Sequence, residues 1–189
     1  KTNEKDIKRW KSFLLNKDYN FKYMLGFTGT AYIDDEYFND VIYRYSLRSA
    51  IDDKIVKTID YVQKDDVSRD REYKFQKIRE NHETNKRKYS KIKPISILIT
   101  KDIGNAKNLY EDFIDFLAEF ENISREDAER KVLIVTSNKD HKASLKMLDY
   151  VDEKENSFEW IISVSMLTEG WDVKNVFQIV PWEDRAFNS

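Results

Sequence analysis

The sequence predicts an α/β domain: a mostly parallel sheet with helices covering both faces. Two observations carry this expectation. From Pro94 onward, short apolar runs of β type, at residues 95–99, 131–136, 160–164 and 177–180, alternate with stretches of helical periodicity. Such alternation pairs strands in parallel through right-handed crossovers and sets helices on each side of the sheet. The second observation is the closing stretch WIISVSMLTEGWDVKNVFQIVPWEDRAFNS. There the run 160–164 stops at the polar, glycine-bearing segment Thr168-Glu169-Gly170-Trp171-Asp172, and a second apolar run follows at 176–180. The two runs read as neighbouring buried strands, and the polar loop between them sits at a strand's carboxyl end, where open α/β sheets bind ligands.

Each element has its own signal. Residues 6–16 carry Ile7, Trp10, Phe13, Leu14 and Leu15 at near-helical spacing, which reads as an amphipathic helix. Residues 23–27 read as a strand running into the turn Thr28-Gly29-Thr30-Ala31. Residues 41–45 read as a second short strand, Ser46 as the N-cap of a short helix containing Leu47, Ala50 and Ile51, and residues 55–62 alternate as a strand does. Residues 66–92 are charged and free of glycine and proline. Their apolar residues, Tyr73, Phe75, Ile78 and Tyr89, make only a narrow stripe, so a long, exposed helix or helix pair is expected.

After the strand at 95–99, Leu109, Phe113, Phe116, Leu117 and Phe120 give the next helix its inward face. The pattern Ser124-x-x-Asp127 opens a short helix over 124–130 as a capping box. The strand 131–136 leads to the loop Ser137-Asn138-Lys139-Asp140, and a further helix faces inward through Leu145, Leu148 and Val151.

Composition bounds the function. At 189 residues the chain has room for one domain of ordinary size plus extra elements, but not for two full motor domains. Cysteine is absent, which excludes a disulfide framework and any cysteine-bearing zinc site. His82 and His141 are the remaining imidazoles, and both read as surface residues. No signal peptide and no apolar run near membrane-spanning length is visible, so no membrane partner is expected and a cytoplasmic location is the inference. The net charge is −2, so a nucleic-acid partner would have to be met by a local basic face. Residues 69–93 hold ten Lys or Arg against four Asp or Glu, whereas 101–130 hold four against nine. A solvated helix face is the plainer reading of that basic stretch.

The wording SMLTEGWDVKNVFQIVP, with RAFNS after it, is similar to motif V of superfamily 2 helicases and resembles the Res subunit of type III restriction enzymes. The segment VIYRYSLRSAIDDKIVKTIDYV is similar to the part of those proteins that follows motif III. Thr28, Gly29 and Thr30 resemble motif III itself, the coupling motif between motor domains, with Ala31 where proline is common. The resemblance covers residues 25–62 and 94–189.

It implies an ATP-driven motor on double-stranded DNA that powers a restriction endonuclease. The fold implied is a RecA-like domain of the P-loop NTPase type. Residues 1–31 would be the end of a first RecA-like motor domain, and 32–189 a second one ending before motif VI, with a charged helical segment at about 66–92. Gly170 and Asp172 would face nucleotide, Gly170 through close backbone approach and Asp172 through a ribose hydroxyl. Thr168 would face a DNA phosphate, with Thr100, Lys101 and Ser137 as further DNA-contacting residues at strand ends. ATP and Mg2+ would be held mainly by the first motor domain, and a modification methyltransferase subunit would be the protein partner.

The chain carries no G-x-x-x-x-G-K-[ST] loop and no acidic box of the D-E-A-H kind, so a catalytic set is incomplete within it. Two other readings remain open: a different superfamily 2 DNA or RNA helicase, and a non-catalytic α/β interaction module. Read without the resemblance, Gly170 and Asp172 make a tight turn, Trp171 and Trp182 are packing residues, and Asp34, Asp35 and Glu36 are a solvated turn.

Overall fold

The computed structural model describes residues 12–13, 16–23, 25–29, 32–33, 36–37, 41–60, 70–136, 142–164 and 173–182, with side chains at all of these except 32–33, 36–37 and 142. The chain divides into two compact units, Lys1–Gln63 and Lys64–Ser189.

In the first unit, strands β1 (Tyr32–Ile33) and β2 (Glu36–Tyr37) pair antiparallel, Tyr32 opposite Tyr37. The expected strands at 23–27, 41–45 and 55–62 are not formed among the described residues. Tyr23 and Phe27 are almost fully exposed, as are Ile42 and Tyr43 in large part. The apolar pattern supplies β propensity, but a strand exists only where a second backbone completes its ladder. The short helix does form. Helix α1 (Leu47–Asp52) begins at Ser46, whose side chain accepts from the Ser49 N–H at 3.0 Å, and it buries Ala50. The helix expected over 6–16 lies almost wholly outside the described residues, of which Ser12 and Phe13 are helical.

The second unit contains the α/β architecture. In chain order it runs α2 (Arg71–Lys88), β3 (Ile95–Thr100), α3 (Ile103–Glu121), α4 (Arg125–Glu129), β4 (Val132–Val135), α5 (Lys142–Met147), a 3-10 turn (Leu148–Tyr150), β5 (Trp160–Val164) and β6 (Val176–Pro181). The four strands make one all-parallel sheet in the order β4-β5-β3-β6. The register aligns Leu98 with Ile162 and Val180, and Ile134 with Ile162.

Two-residue alternation sends each strand's side chains to opposite faces. Leu98, Val132, Trp160 and Ile162 meet Phe75 and Ile78 of α2, Leu109, Phe113, Phe116 and Leu117 of α3, and Ala128 of α4. Ile95, Ile97, Leu133, Val135 and Ile161 meet Leu148 and Val151 on the other side. Each large apolar side chain fully buried in this way contributes roughly 1.5–3 kcal/mol. The parallel sheet with helices on both faces is therefore as expected, but β5 and β6, expected as neighbours, are separated by β3.

Capping chemistry sets the helix limits. Asp70 accepts from the Glu72 and Tyr73 N–H groups at the start of α2, and Asp102 from Asn105 at the start of α3. Helix α3 ends on Asn122 at φ 53°, the left-handed position for which asparagine substitutes for glycine. Ser124 caps α4 by accepting from the Asp127 N–H, as the capping pattern predicts.

Three details differ from expectation. Helix α2 forms as one long helix, but its narrow stripe is packed and not exposed: Phe75, Ile78 and His82 are buried, and Phe75 stacks on Trp182 with ring centroids 4.8 Å apart. Phe120 is half exposed, lying against Phe116 under the Arg79 guanidinium rather than in the core. Leu145 is likewise largely exposed, so the second helical face rests on Leu148 and Val151.

Candidate functional site

Because all four strands run in one direction, their carboxyl ends share one edge. Thr100 registers with Val164, Ile99 with Ser163 and with Pro181, and Val135 with Ser163. The connections leaving β3, β4, β5 and β6, at 101–102, 136–141, 165–172 and from 182 onward, thus start from a single rim of the second unit. Such a rim is where α/β sheets gather ligand-binding residues.

Of the expected residues, Thr168, Gly170, Asp172, Ser137 and Thr30 lie outside the described residues, as do His141, Trp171, Asp34 and Asp35. Thr100 and Lys101 stand on the rim. Thr100 is buried, and its hydroxyl donates to the Asp102 carbonyl at 3.1 Å, closing the turn that starts α3. A phosphate contact by that hydroxyl would require the turn to open. Lys101 is exposed. Thr28 and Gly29 are exposed in the first unit, and a side chain at Gly29 would meet nothing within 4 Å. The described rim residues form neither a phosphate cradle nor a carboxylate set for Mg2+, so they would not hold that nucleotide complex by themselves.

Beside the rim, Trp182 donates its backbone N–H to the Ile99 carbonyl at 2.9 Å and borders an open concavity with Arg71, Asn105, Asn108, Glu111 and Asp112. Arg71 pairs with Asp112, and Glu111 with Arg125. The concavity is acidic on balance and unsuited to a phosphate.

Part of the basic stretch at 69–93 is engaged within the unit. Arg71 pairs with Asp112, Arg79 with Glu121 at 2.9 Å, and Lys77 with Glu80. Lys93 is half-buried, which pushes its ammonium pKa down, and it donates to the carbonyls of Glu153 and Asn156. Arg87, Lys88 and Lys91 remain exposed around the end of α2. Cations there also complement the helix dipole.

No protein-family model, curated protein or solved structure matches this chain. Among the described residues, no helix is long and apolar enough to cross a membrane.

One polar constellation was not anticipated. His82, expected at the surface, is fully buried against Trp160, with its Nδ1 2.8 Å from Ser96 Oγ and its Nε2 3.3 Å from Glu159 Oε2. Ser96 Oγ donates onward to Gln178 Oε1 at 3.0 Å. Lys86 Nζ holds both Glu159 oxygens, at 3.0 and 3.1 Å, and also reaches Glu83. Burial alone would push the Glu159 carboxyl up, but hydrogen bonds and charge from His82 and Lys86 outweigh it and hold it at about 2.

The Ser96-His82-Glu159 chain superficially resembles a hydrolytic triad. It is not a nucleophile's environment, because Ser96 is fully buried near the amino end of β3, away from the rim at the strands' carboxyl ends. The sequence did hold a signal for this burial. His82 lies seven residues after Phe75 and four after Ile78, so it extends their helical stripe.

Proposed function

We propose that this chain supplies the second RecA-like motor domain, with the end of the first, of an ATP-dependent translocase on double-stranded DNA, of the type III restriction endonuclease class. The observation that carries the reading is the T-E-G-W-D wording directly after β5, a central strand of a parallel sheet. A loop leaving that position can touch a nucleotide on one side and a polynucleotide backbone on the other. Gly170 and Asp172 take the nucleotide side and Thr168 a DNA phosphate, with Lys101 and Ser137 on neighbouring rim loops. Phosphoryl transfer needs a phosphate cradle, metal-bound carboxylates and a cation for the developing charge. On this reading those groups, with ATP and Mg2+, belong mainly to other parts of the motor, and site recognition belongs to a methyltransferase partner.

The test is steady-state ATP hydrolysis with and without DNA, beside a DNA-binding titration. The 189-residue chain alone is expected to hydrolyse no ATP. In the intact motor, Asp172→Ala is expected to abolish DNA-stimulated hydrolysis while most DNA binding remains. Turnover by the isolated chain, or normal stimulated turnover in the variant, would overturn the reading.

A further inference from the structure

We propose that His82, Glu83 and Glu159 form a binding site for a single Zn2+ ion, with Lys86 as the cation that competes for it. The ring geometry makes the argument. Ser96 has one hydroxyl proton, and it is directed to Gln178, so His82 Nδ1 is the donor to Ser96 Oγ. This second-shell hydrogen bond fixes the ring and aims Nε2 at Glu159 Oε2, 3.3 Å away. A carboxylate offers only lone pairs. In this structure the cation beside that pair is the Lys86 ammonium, 3.0 and 3.1 Å from the two Glu159 oxygens, and a metal ion between Nε2 and Oε2 would take its place.

Glu83, the next residue on α2, adds a third donor, and the three ligand atoms lie within 4.8 Å of one another. Ligands roughly 2.0–2.2 Å from one tetrahedral zinc ion lie roughly 3.4 Å apart, so the carboxylates have to close inward by about an ångström. One imidazole and two carboxylates leave a fourth position for water, a donor set that favours a borderline transition ion over Mg2+ or Ca2+, which prefer all-oxygen shells. The site also has an entry path. The Glu83 and Lys86 side chains are about one-third exposed, at 33% and 36%, while the His82 side chain is at 1%. An ion would therefore arrive from the Lys86 side and displace its ammonium from Glu159. The bound ion would pin α2 to the start of β5.

The experiment is calorimetric titration of the 189-residue chain with Zn2+, repeated with Mg2+ and Ca2+, and visible spectroscopy with Co2+ as the probe. One Zn2+ per chain is expected, with four-coordinate Co2+ bands that Zn2+ removes. Glu83→Gln alters only the rim and should weaken Zn2+ binding about tenfold or more. Lys86→Met removes the competing charge and should tighten it. Absence of binding, equal binding of Mg2+, or equal Zn2+ affinity in Glu83→Gln, Lys86→Met and the unaltered chain would each overturn the proposal.

Discussion

At the scale of single residues, Glu121 shows how one carboxylate joins three elements. It closes α3, and its oxygens accept from Arg79 of α2 at 2.9 Å and from Lys131 just before β4. Burial raises its pKa, but the two hydrogen bonds and charges lower it further than burial raises it, so the net shift is downward. A carboxyl whose folded pKa lies below its unfolded value contributes stability above the unfolded pKa and loses it as pH falls through the folded one. Urea unfolding of Glu121→Gln beside the unaltered chain should therefore show a stability deficit at neutral pH. That deficit should fade on acidification through and below the ordinary carboxylate range. A deficit independent of pH would mean that packing, not charge, makes the contribution. The legibility of the sequence is also uneven at this scale. Ser46 and Ser124 were readable as caps because a cap depends on backbone only two or three residues away. The burial of His82 was legible only in its helical spacing from Phe75 and Ile78, and its hydrogen bonding was not legible at all, because its partners Ser96 and Glu159 stand 14 and 77 positions along the chain.

Among the elements, the helices and strands from Pro94 onward were legible because each carries its own periodicity and is met by a neighbour of matching pattern. The strands expected at 23–27, 41–45 and 55–62 had pattern without a partner, and pattern alone does not close a ladder. Helix α3 gives the sharpest test of how a stripe becomes a core. Phe113 is fully buried, 5.1 Å from the Phe75 ring and 4.9 Å from Trp160, whereas Phe120 on the same sequence stripe is half exposed. Phe113→Ala should cost about 3–5 kcal/mol in chemical denaturation, and Phe120→Ala about 1 kcal/mol or less. Comparable losses at both positions would place Phe120 in the core after all. Helix α2 carries a prediction that rests on the proposed motor. Arg87→Glu, Lys88→Glu and Lys91→Glu together should lower sequence-independent DNA affinity and flatten its dependence on salt, read by titration of the intact protein at several ionic strengths. Lys86 is left out of that set because its ammonium is bound to Glu159, and its reversal would disturb the fold itself.

For the whole molecule, the sheet order β4-β5-β3-β6 departs from the order in which the chain lays its strands down, β3, β4, β5, β6. The proposed motor role uses that order, because it places the carboxyl end of β5 between those of β4 and β3 rather than at the sheet's margin. The strand order was not readable, since it is set by which faces meet across long stretches of chain and not by any local signal. The same order governs synthesis. As the polypeptide leaves the ribosome, β3 and β4 emerge first, yet they are not neighbours: the place between them belongs to β5. Until Trp160–Val164 has been made, two apolar strands wait with an open slot one strand wide, and any extended segment of another nascent chain can occupy it. A cell producing this protein therefore depends on prompt delivery of residues 160–164, and a ribosome stalled before Trp160 would leave a product primed to aggregate.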